Sequence, residues 1–394
     1  MHTLLFLDPG HFHAALTLRA PQPRAAEEIV VYARESVELR DFLALVERFN
    51  RRPQEPTRWR PALVIADDPL ERLIHERRGD VVVLAGRNGG KAHTMRRVHD
   101  AGFHVLADKP WLVEPDDLEP VRASLACWPI AAEMMTGRRD LAAGVLKRLV
   151  ATPEIFGAFR DDGPAIEQES IHYLEKLVDG APLRRPWWYF DVRVQGSGPV
   201  DIPTHLVDQA QWLAGGDAIT PVLLSARAWS TRVPAEAFRR ITGEVAFSDP
   251  LRPFVDADEL DYRCNAELSY RIGPVTAHAR TRWDLAPEPG GGDVTRLVAR
   301  GTRADLRLEQ SPRTGHRRRV FVEPHGGERY EVSLPPSLDG GHEAHFARVL
   351  DELLTMVDER HWPAALADRT RAKYALLAEA AARTSPQNVP LTPR

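Results

Sequence analysis

Two short strings in this chain contain residue types that could do acid–base chemistry on a hydroxyl group. One is Asp108-Lys109-Pro110, which follows the apolar run His104 to Ala107, and the other is Asp201-Ile202-Pro203-Thr204-His205. Oxidation of an alcohol needs a group that takes the hydroxyl proton and a cation that stabilises the developing alkoxide. A histidine and a lysine can share these two tasks. A surface lysine and a helix-capping aspartate would look the same in sequence, so the elements that position them have to be considered.

The first part of the chain alternates apolar strands with helical segments. Strands are predicted at residues 3–8, 28–33, 61–66, 80–85, 104–107 and 128–135. Strands that are apolar along their whole length indicate a parallel sheet covered on both faces by helices. Such doubly wound sheets bind ligands at the carboxyl ends of their strands. We therefore predict an α/β fold in which residues 1–135 form a dinucleotide-binding Rossmann domain.

The turn after the first strand is the predicted phosphate site. It reads Asp8-Pro9-Gly10-His11-Phe12-His13, where a dinucleotide site usually has Gly-x-Gly-x-x-Gly. Only the middle glycine, Gly10, is kept, and this is the one that lets the backbone approach a pyrophosphate. We predict that the pyrophosphate lies over residues 9–13 at a helix start. A pocket that no longer binds cofactor is the alternative.

The end of the second strand bears on the choice of cofactor. Ala33 occupies the position of the acidic residue that would bind the ribose of NAD, and Arg34 follows it. An arginine there can accept the 2′-phosphate of NADP or stack on adenine, although it could also simply face solvent. The sequence leaves both NAD and NADP open.

Residues 136–394 show a different pattern, with two helical stretches at about 138–150 and 202–214 before a β-rich section from about 220 to 333. Further helices close the chain, and Gly290 to Asp293 reads as a loop between strands. We predict a substrate-binding and oligomerisation α+β domain with a large, mainly antiparallel sheet. His172 and Lys176 are placed one turn apart on a predicted helix, where they could bind substrate or lie on a solvated face.

The second chemical string lies at the start of a predicted helix. Asp201 is placed as its N-cap, with Pro203 in the first turn and Gly215-Gly216 at the end. Asp208 follows His205 by three residues on one helix face and could orient its imidazole, or be purely structural.

Taken in order, these pieces resemble the Gfo/Idh/MocA oxidoreductases, named for glucose–fructose oxidoreductase, inositol dehydrogenase and a rhizopine-catabolism protein. The resemblance covers nearly the whole chain. Its most specific parts are the Glu-Lys-Pro-like turn at 108–110 and the Asp-x-x-x-His-x-x-Asp string at 201–208. The segments at 10–16, 184–191, 204–208 and 341–346 are also similar to a subgroup described as "putative oxidoreductases".

The resemblance implies NAD or NADP in the first domain and oxidation or reduction of a hydroxyl or ketone of a sugar, cyclitol or related molecule. Lys109 matches the lysine of the family's turn beside nicotinamide and substrate, and Asp201 and His205 match its second motif. Asn88 matches the asparagine of a Thr-Pro-Asn loop. This chain departs from the family pattern by having Asp108 in place of Glu, by having Gly86-Arg87 in place of Thr-Pro, and by lacking two motif glycines.

Three hypotheses follow for the function. In the first, a dehydrogenase, His205 removes the hydroxyl proton and Lys109 stabilises the alkoxide. In the second, a glycoside hydrolase or lyase oxidises its sugar only transiently and accumulates no NADH. In the third, the chain is a non-catalytic NAD(P)-binding sensor, which the altered glycine turn would favour and the retained Lys109, Asp201 and His205 oppose.

Composition excludes several other classes. The net charge of -4, with both signs interspersed, argues against a nucleic-acid surface, and no apolar run approaches the length of a membrane span. Two distant cysteines fit a reducing cytoplasm, and the start of the chain lacks the features of a secretion signal. His342, Glu343 and His345 lack zinc-helix spacing, so no metal is expected. The β-rich section suggests a homodimer or homotetramer.

Overall fold

The computed structural model describes residues 1–178, 181–216, 218–288, 291–335 and 343–385. Within them, the chain divides into two compact units. The first consists of residues 1–112, 116–140 and 343–371, and the second of residues 113–115, the described part of 141–335, and 372–385. None of the helices in the described ranges is both long enough and apolar enough to cross a membrane.

The secondary structure alternates in the first unit and is richer in strands in the second. The strands are β1 (Leu4–Leu7), β2 (Glu28–Ala33), β3 (Arg60–Ile65), β4 (Val81–Leu84), β5 (His104–Ala107), β6 (Ala131–Glu133), β7 (Ile166–Tyr173), β8 (Leu177–Val178), β9 (Ala181–Pro182), β10 (Val222–Pro234), β11 (Val255–Asp256), β12 (Glu259–Ile272), β13 (Val275–Asp284), β14 (Val294–Arg300), β15 (Ala304–Gln310), β16 (Arg319–Pro324) and β17 (Tyr330–Val332). The helices are α1 (His13–Leu16), α2 (Val37–Arg51), α3 (Pro69–Glu76), α4 (Lys91–Asp100), α5 (Leu118–Ser124), α6 (Leu141–Val150), α7 (Val192–Gln195), α8 (Pro203–Ala214), α9 (Ala235–Thr242), α10 (Ala344–Asp358) and α11 (Ala364–Thr384).

The first unit is built on a six-stranded sheet in the order β3-β2-β1-β4-β5-β6, with every neighbouring pair parallel. Strands β1, β4 and β5 are buried along their whole length. This confirms the predicted doubly wound sheet, because residues that alternate between the two faces are all apolar only when both faces are covered. The order reverses between β1 and β4, which is where such folds bind ligands.

Local signals fix the helix boundaries around the carboxyl edge of this sheet. The Ser36 hydroxyl caps α2 by accepting a hydrogen bond from Leu39 N, and the Asp68 carboxylate caps α3 in the same way. Helix α1 is shorter than the sequence suggests, because it ends at Leu16. The amides of Leu18 and Arg19 then bond to carbonyls three residues back and not four, which tightens the chain.

The closing helices were expected in the second domain, yet α10 packs in the core of the first unit. Phe346, Leu350 and Leu353 on α10 belong to the same buried cluster as residues of β1, β2 and β4. The amphipathic pattern of α10 marks an apolar face, but it does not say which sheet will cover that face.

The second unit carries a larger sheet in the order β10-β12-β13-β7-β14-β15-β16-β17, with β11 paired to β12. Strands β13 and β7 are parallel and the other pairs are antiparallel. This confirms the expected large, mainly antiparallel sheet. Strands β8 and β9 form a separate two-stranded ribbon. Of the predicted loop Gly290 to Asp293, the first residue lies outside the described residues.

The helix predicted over His172 is wrong, because this segment is the strand β7 in the middle of the large sheet. Ile166–Tyr173 pairs with β13 on one side and β14 on the other. An apolar residue every three or four positions in a short segment fits a helix and a strand alike, and hydrogen-bonding partners on both sides decide in favour of the strand.

The N-cap predicted at Asp201 is also wrong. Helix α8 begins at Pro203, as expected for a proline in the first turn, but its N-cap residue is Ile202, which makes no side-chain capping hydrogen bond. Asp201 lies one residue further back in a turn, and its amide donates to Ser197 O at 3.2 Å. The helix ends at Ala214, with Gly215 in the left-handed conformation that a C-terminal glycine adopts.

Candidate functional site

A cleft of about 500 Å³ lies at the carboxyl edge of the first unit's sheet. Its walls come from four places: the end of β1 and its turn (7–10), the end of β2 and start of α2, the start of α3 (68–70), and the end of β4 with the loop into α4. These are the positions at which a doubly wound fold receives a dinucleotide. Of the residues predicted to bind cofactor, Asp8, Gly10 and Arg34 line this cleft.

Asp8 and Arg34 form the polar centre of the cleft. The Asp8 carboxylate accepts hydrogen bonds from Arg34 N at 3.0 Å and from Arg34 Nη1 at 2.8 Å, while Arg34 Nε donates to Asp67 O. Ala33 leaves the end of β2 without the expected acidic residue, and Asp8 brings a carboxylate to that place from the end of β1. The side chain at the first glycine position of the motif therefore reaches the end of β2.

The phosphate turn is held tightly against the end of β4. Gly10 N and His11 N both donate to Ala85 O, at 3.1 and 3.0 Å. A Cβ on Gly86 would lie 2.5 Å from Asp8 O, so the two loops can approach this closely only because residue 86 is a glycine. Asp8 itself has a φ of 39°, a conformation that aspartate tolerates better than most residues. Two of the turn's amides are therefore already used within the protein.

Lys91 was not among the predicted site residues, but it holds the loop that carries Lys109. Its side chain is buried, and Nζ donates to Asn88 Oδ1, to Asp108 O at 2.8 Å and to Pro110 O at 3.3 Å. A lysine three residues after Asn88 at a helix start could have signalled this role, but its partner carbonyls lie 17 and 19 residues away. Lys109 lies two residues beyond the end of β5 and is half-buried.

His11, His13 and Asp108 come together next to Lys109. His13 Nδ1 lies 2.9 Å from Asp108 Oδ2, and His11 Nδ1 lies 3.4 Å from the same oxygen. The other Asp108 oxygen accepts from Lys109 N at 2.9 Å. Phe12, between the two histidines, is exposed and makes aromatic contacts with both rings.

Burial and the contacts between these side chains act in opposite directions on the pKa values of His13 and Asp108. Burial lowers the pKa of His13 to about 4 against the opposing effect of Asp108, so the imidazole is neutral at pH 7. Burial by itself would raise the pKa of Asp108, but its contacts with His13 and His11 outweigh this effect and hold that pKa well below the usual range. The carboxylate is therefore ionised at neutral pH.

In the second unit, Asp201 and His205 lie at the start of α8, Asp201 buried and His205 half-buried. His205 N donates to Ile202 O within the first turn. Asp208, considered as a support for His205, is buried and lies 3.7 Å from Lys373 Nζ, which is fully buried. A buried carboxylate next to a buried ammonium indicates that Asp208 also ties α8 to α11.

His172 and Lys176 do come together, although not on a helix. Both contact Asp293: Lys176 Nζ lies 2.6 Å and His172 Nδ1 lies 3.4 Å from its Oδ2. His172 Nε2 lies 2.8 Å from Ser170 Oγ, and its ring stacks on Trp283 at 4.7 Å. Burial acts to raise the pKa of Asp293, but His172 and Lys176 lower it below its usual value. Asp293 could not be found by sequence spacing, because it lies more than a hundred residues from its partners.

Comparisons with known proteins agree with this architecture. The family model "Putative oxidoreductase C terminal domain" matches residues 145–329, within the second unit. A "putative oxidoreductase" structure from Parabacteroides merdae shares 32% identity over 96% of each chain, with a TM-score of 0.92. A comparison with curated proteins found no match.

Two more distant structures share the fold. A "putative nadph-dependent oxidoreductase" from Desulfitobacterium hafniense has 14% identity over 98% of this chain and 96% of its own, with a TM-score of 0.64. A 3-ketoreductase from Actinomadura kijaniata, solved with NADP and TDP-benzene, has 13% identity over 95% of each chain and a TM-score of 0.60. The family model and the long match to the Parabacteroides protein together show that the chain belongs to the oxidoreductase family that carries this C-terminal domain.

Proposed function

We propose that this chain is an NAD(P)-dependent oxidoreductase that transfers a hydride between the cofactor and the hydroxyl or ketone carbon of a sugar, cyclitol or related small molecule. The observation that carries the proposal is the cleft at the carboxyl edge of the first sheet, lined by the turns after β1 and β4. The NADPH-dependent and NADP-bound relatives of the same fold support it.

The residues around the cleft fit a dinucleotide. Asp8 would accept hydrogen bonds from ribose hydroxyls, and Arg34 would meet a 2′-phosphate or the adenine face. Pro69 and Leu70 offer an apolar wall for the adenine. Gly10 N and His11 N are committed to Ala85 O, so the pyrophosphate would depend more on Arg87, which also lines the cleft.

When bound, NAD(P) would supply the hydride acceptor or donor. The chain's own residues would handle the proton: His205 takes it from the substrate hydroxyl, and the Lys109 ammonium stabilises the alkoxide or polarises the ketone. Asp201 and the pair His172 and Lys176 are proposed to bind substrate polar groups. Asn88 contributes by holding Lys91, which in turn holds the backbone around Lys109.

Calorimetry with NAD and with NADP tests cofactor binding. We expect at least one to bind with a dissociation constant below about 1 mM. Arg34→Ala should weaken NADP binding by about tenfold or more, which is the contribution of a charge-assisted hydrogen bond. Its effect on NAD binding should be smaller, because NAD lacks the 2′-phosphate. Arg40→Ala removes an exposed arginine from the same region and is the control. The absence of binding for both cofactors would refute the proposal.

Turnover tests the catalytic roles. With a panel of sugars and cyclitols, Lys109→Ala and His205→Ala should each lower turnover by roughly 10²-fold or more, with the fold unchanged by circular dichroism. The surface variant His75→Ala should behave like wild type. Accumulation of NAD(P)H distinguishes net oxidation from transient oxidation, and wild-type turnover by both variants would overturn the assignment.

A further inference from the structure

The His11, His13 and Asp108 cluster has the composition and geometry of a metal site. Each of the three side chains offers one potential ligand atom, and these atoms all lie within 4.8 Å of one another. Two imidazole nitrogens and one carboxylate oxygen form a donor set that suits Zn²⁺ and neighbouring divalent transition metals. We propose that His11, His13 and Asp108 bind one such ion through His11 Nδ1, His13 Nδ1 and Asp108 Oδ2.

The distances between the donor atoms support the proposal. Nitrogen and oxygen ligands lie about 2.0–2.2 Å from zinc, so two of them on one ion are separated by about 3.0–3.5 Å. The separations from Asp108 Oδ2 are 2.9 Å to His13 Nδ1 and 3.4 Å to His11 Nδ1. Small rotations of the three side chains would therefore place these atoms at bonding distance from a shared ion.

Hydrogen bonding accounts for only part of this arrangement. His13 Nδ1 has a good distance to the carboxylate, but the buried His11 Nδ1 atom, at 3.4 Å, makes no well-directed hydrogen bond. A buried polar atom without a partner is costly. An ion would use both ring nitrogens, each imidazole then carrying its proton on Nε2.

The surroundings allow an ion to enter while holding its ligands in place. The Asp108 side chain is 4% exposed, whereas His11 is 25% exposed and gives access from one side. The His13 ring packs on Phe346, and the Asp108 backbone is fixed by Lys91. Lys109 adds an opposing positive charge, so we expect micromolar and not nanomolar affinity. The three ligands are separate from the residues that line the cofactor cleft.

The wild-type protein provides the first test. After dialysis against a chelator, it is titrated with Zn²⁺ in competition with a chromophoric chelator, and separately with Co²⁺. We expect about one ion per chain and visible Co²⁺ absorption bands typical of four ligands with nitrogen donors. Neither readout needs substrate, so NAD(P) binding without metal binding would refute this inference alone.

Matched variants locate the ion. His13→Ala and Asp108→Asn should each lower the affinity for Zn²⁺ by more than about tenfold. Loss of a residue that only hydrogen-bonds to a metal ligand already costs about tenfold or more, and loss of a ligand itself should cost at least as much. His75→Ala removes a surface histidine from α3 and should bind like wild type. Circular dichroism checks the fold of each variant. Equal binding by wild type and His13→Ala would mean surface binding only and would overturn the proposal, as would the absence of binding by wild type.

Discussion

At the scale of single residues, two departures from the family pattern turn out to contact each other. His13 stands at the third glycine position of the phosphate motif, and Asp108 stands where the family turn has glutamate. The structure places His13 Nδ1 2.9 Å from Asp108 Oδ2. The imidazole at position 13 thereby reaches the carboxylate just beyond the end of β5. The two changes are therefore one local feature.

Lys91 offers a direct test of how the loop around Lys109 is held. Lys91→Met keeps the length of the apolar stem but leaves Asn88 Oδ1 and the carbonyls of Asp108 and Pro110 without their buried donor. Because unsatisfied buried acceptors are costly, we expect the free energy of unfolding to fall by about 2–4 kcal/mol. Urea denaturation measures this change.

Arg97→Met is the control for Lys91→Met, because it removes a cation from the exposed face of the same helix. Its ion pair with Glu71 lies on the surface and should contribute less than about 1 kcal/mol. Equal stability of Lys91→Met and wild type would contradict the role given to Lys91.

His104 makes the stability of the first unit depend on pH. Its Nδ1 accepts a hydrogen bond from Ile130 N, and burial lowers its pKa from 6.5 to about 4. Between these values the unfolded chain binds a proton that the folded chain does not, so stability falls as the pH drops from 6.5 to 4. We expect this group to contribute about 1–2 kcal/mol to that fall, with solvent screening allowed for.

The variant His104→Gln measures this contribution, since an amide oxygen can accept from Ile130 N without titrating. Unfolding free energies at several pH values between 4 and 7 should show a shallower slope for the variant than for wild type. The pKa of His13 is also lowered, to about 4, so part of the dependence of stability on pH should remain in both proteins. An identical slope in the two would show that His104 is not responsible.

At the scale of secondary-structure elements, the cleft depends on two loops that touch. The turn after β1 donates two hydrogen bonds to Ala85 O, and the loop after β4 has a glycine where any side chain would meet Asp8 O. Gly86→Ala should therefore push the loops apart, destabilise the protein by about 1–3 kcal/mol and weaken NAD(P) binding. Thermal unfolding and calorimetry measure the two effects.

Gly137→Ala is the matched control, because a Cβ at that position meets nothing within 4 Å. We expect its stability and cofactor affinity to stay close to those of wild type. If Gly86→Ala behaved the same way, the close approach of the two loops would not be required for binding.

At the scale of the whole molecule, the large sheet has one polar face that bears on assembly. Cross-strand ion pairs join Arg296 to Glu169 at 2.6 Å, Arg300 to Glu167 at 2.8 Å and Arg307 to Glu323 at 3.1 Å. On β13 buried side chains alternate with half-exposed or exposed ones, as expected for a sheet with one polar face. Such a face suits a symmetric contact between copies of the chain.

We therefore predict a homodimer or homotetramer that associates through residues of about 220–333. Light scattering at micromolar concentration should give a mass that is a multiple of 44.2 kDa. Arg280→Glu reverses an exposed charge on the polar side of β13 and should weaken the association, whereas Arg40→Glu, on α2, should not. A wild-type mass near that of a single chain would contradict the prediction.

Elements whose signal is local could be predicted from the amino-acid sequence alone. The central strands β1 and β4 are apolar throughout because both of their faces are covered, and that pattern is visible without knowing any partner. The boundaries of α4 and α8 follow from Gly102, Pro203 and Gly215, whose backbone preferences are intrinsic. The strings around Lys109 and His205 could likewise be picked out, because their chemistry lies in residue types at fixed spacing.

Features that depend on contacts between distant segments are visible only in the folded chain. His13 and Asp108 are 95 residues apart, and Lys176 and Asp293 are 117 apart, so no spacing rule relates them. The segment around His172 became a central strand because β13 and β14 pair with it on both sides, which outweighs an ambiguous local pattern. For the same reason α10 packs against the first sheet: an apolar helix face is stabilised by whichever surface buries it, and only the folded chain specifies that surface.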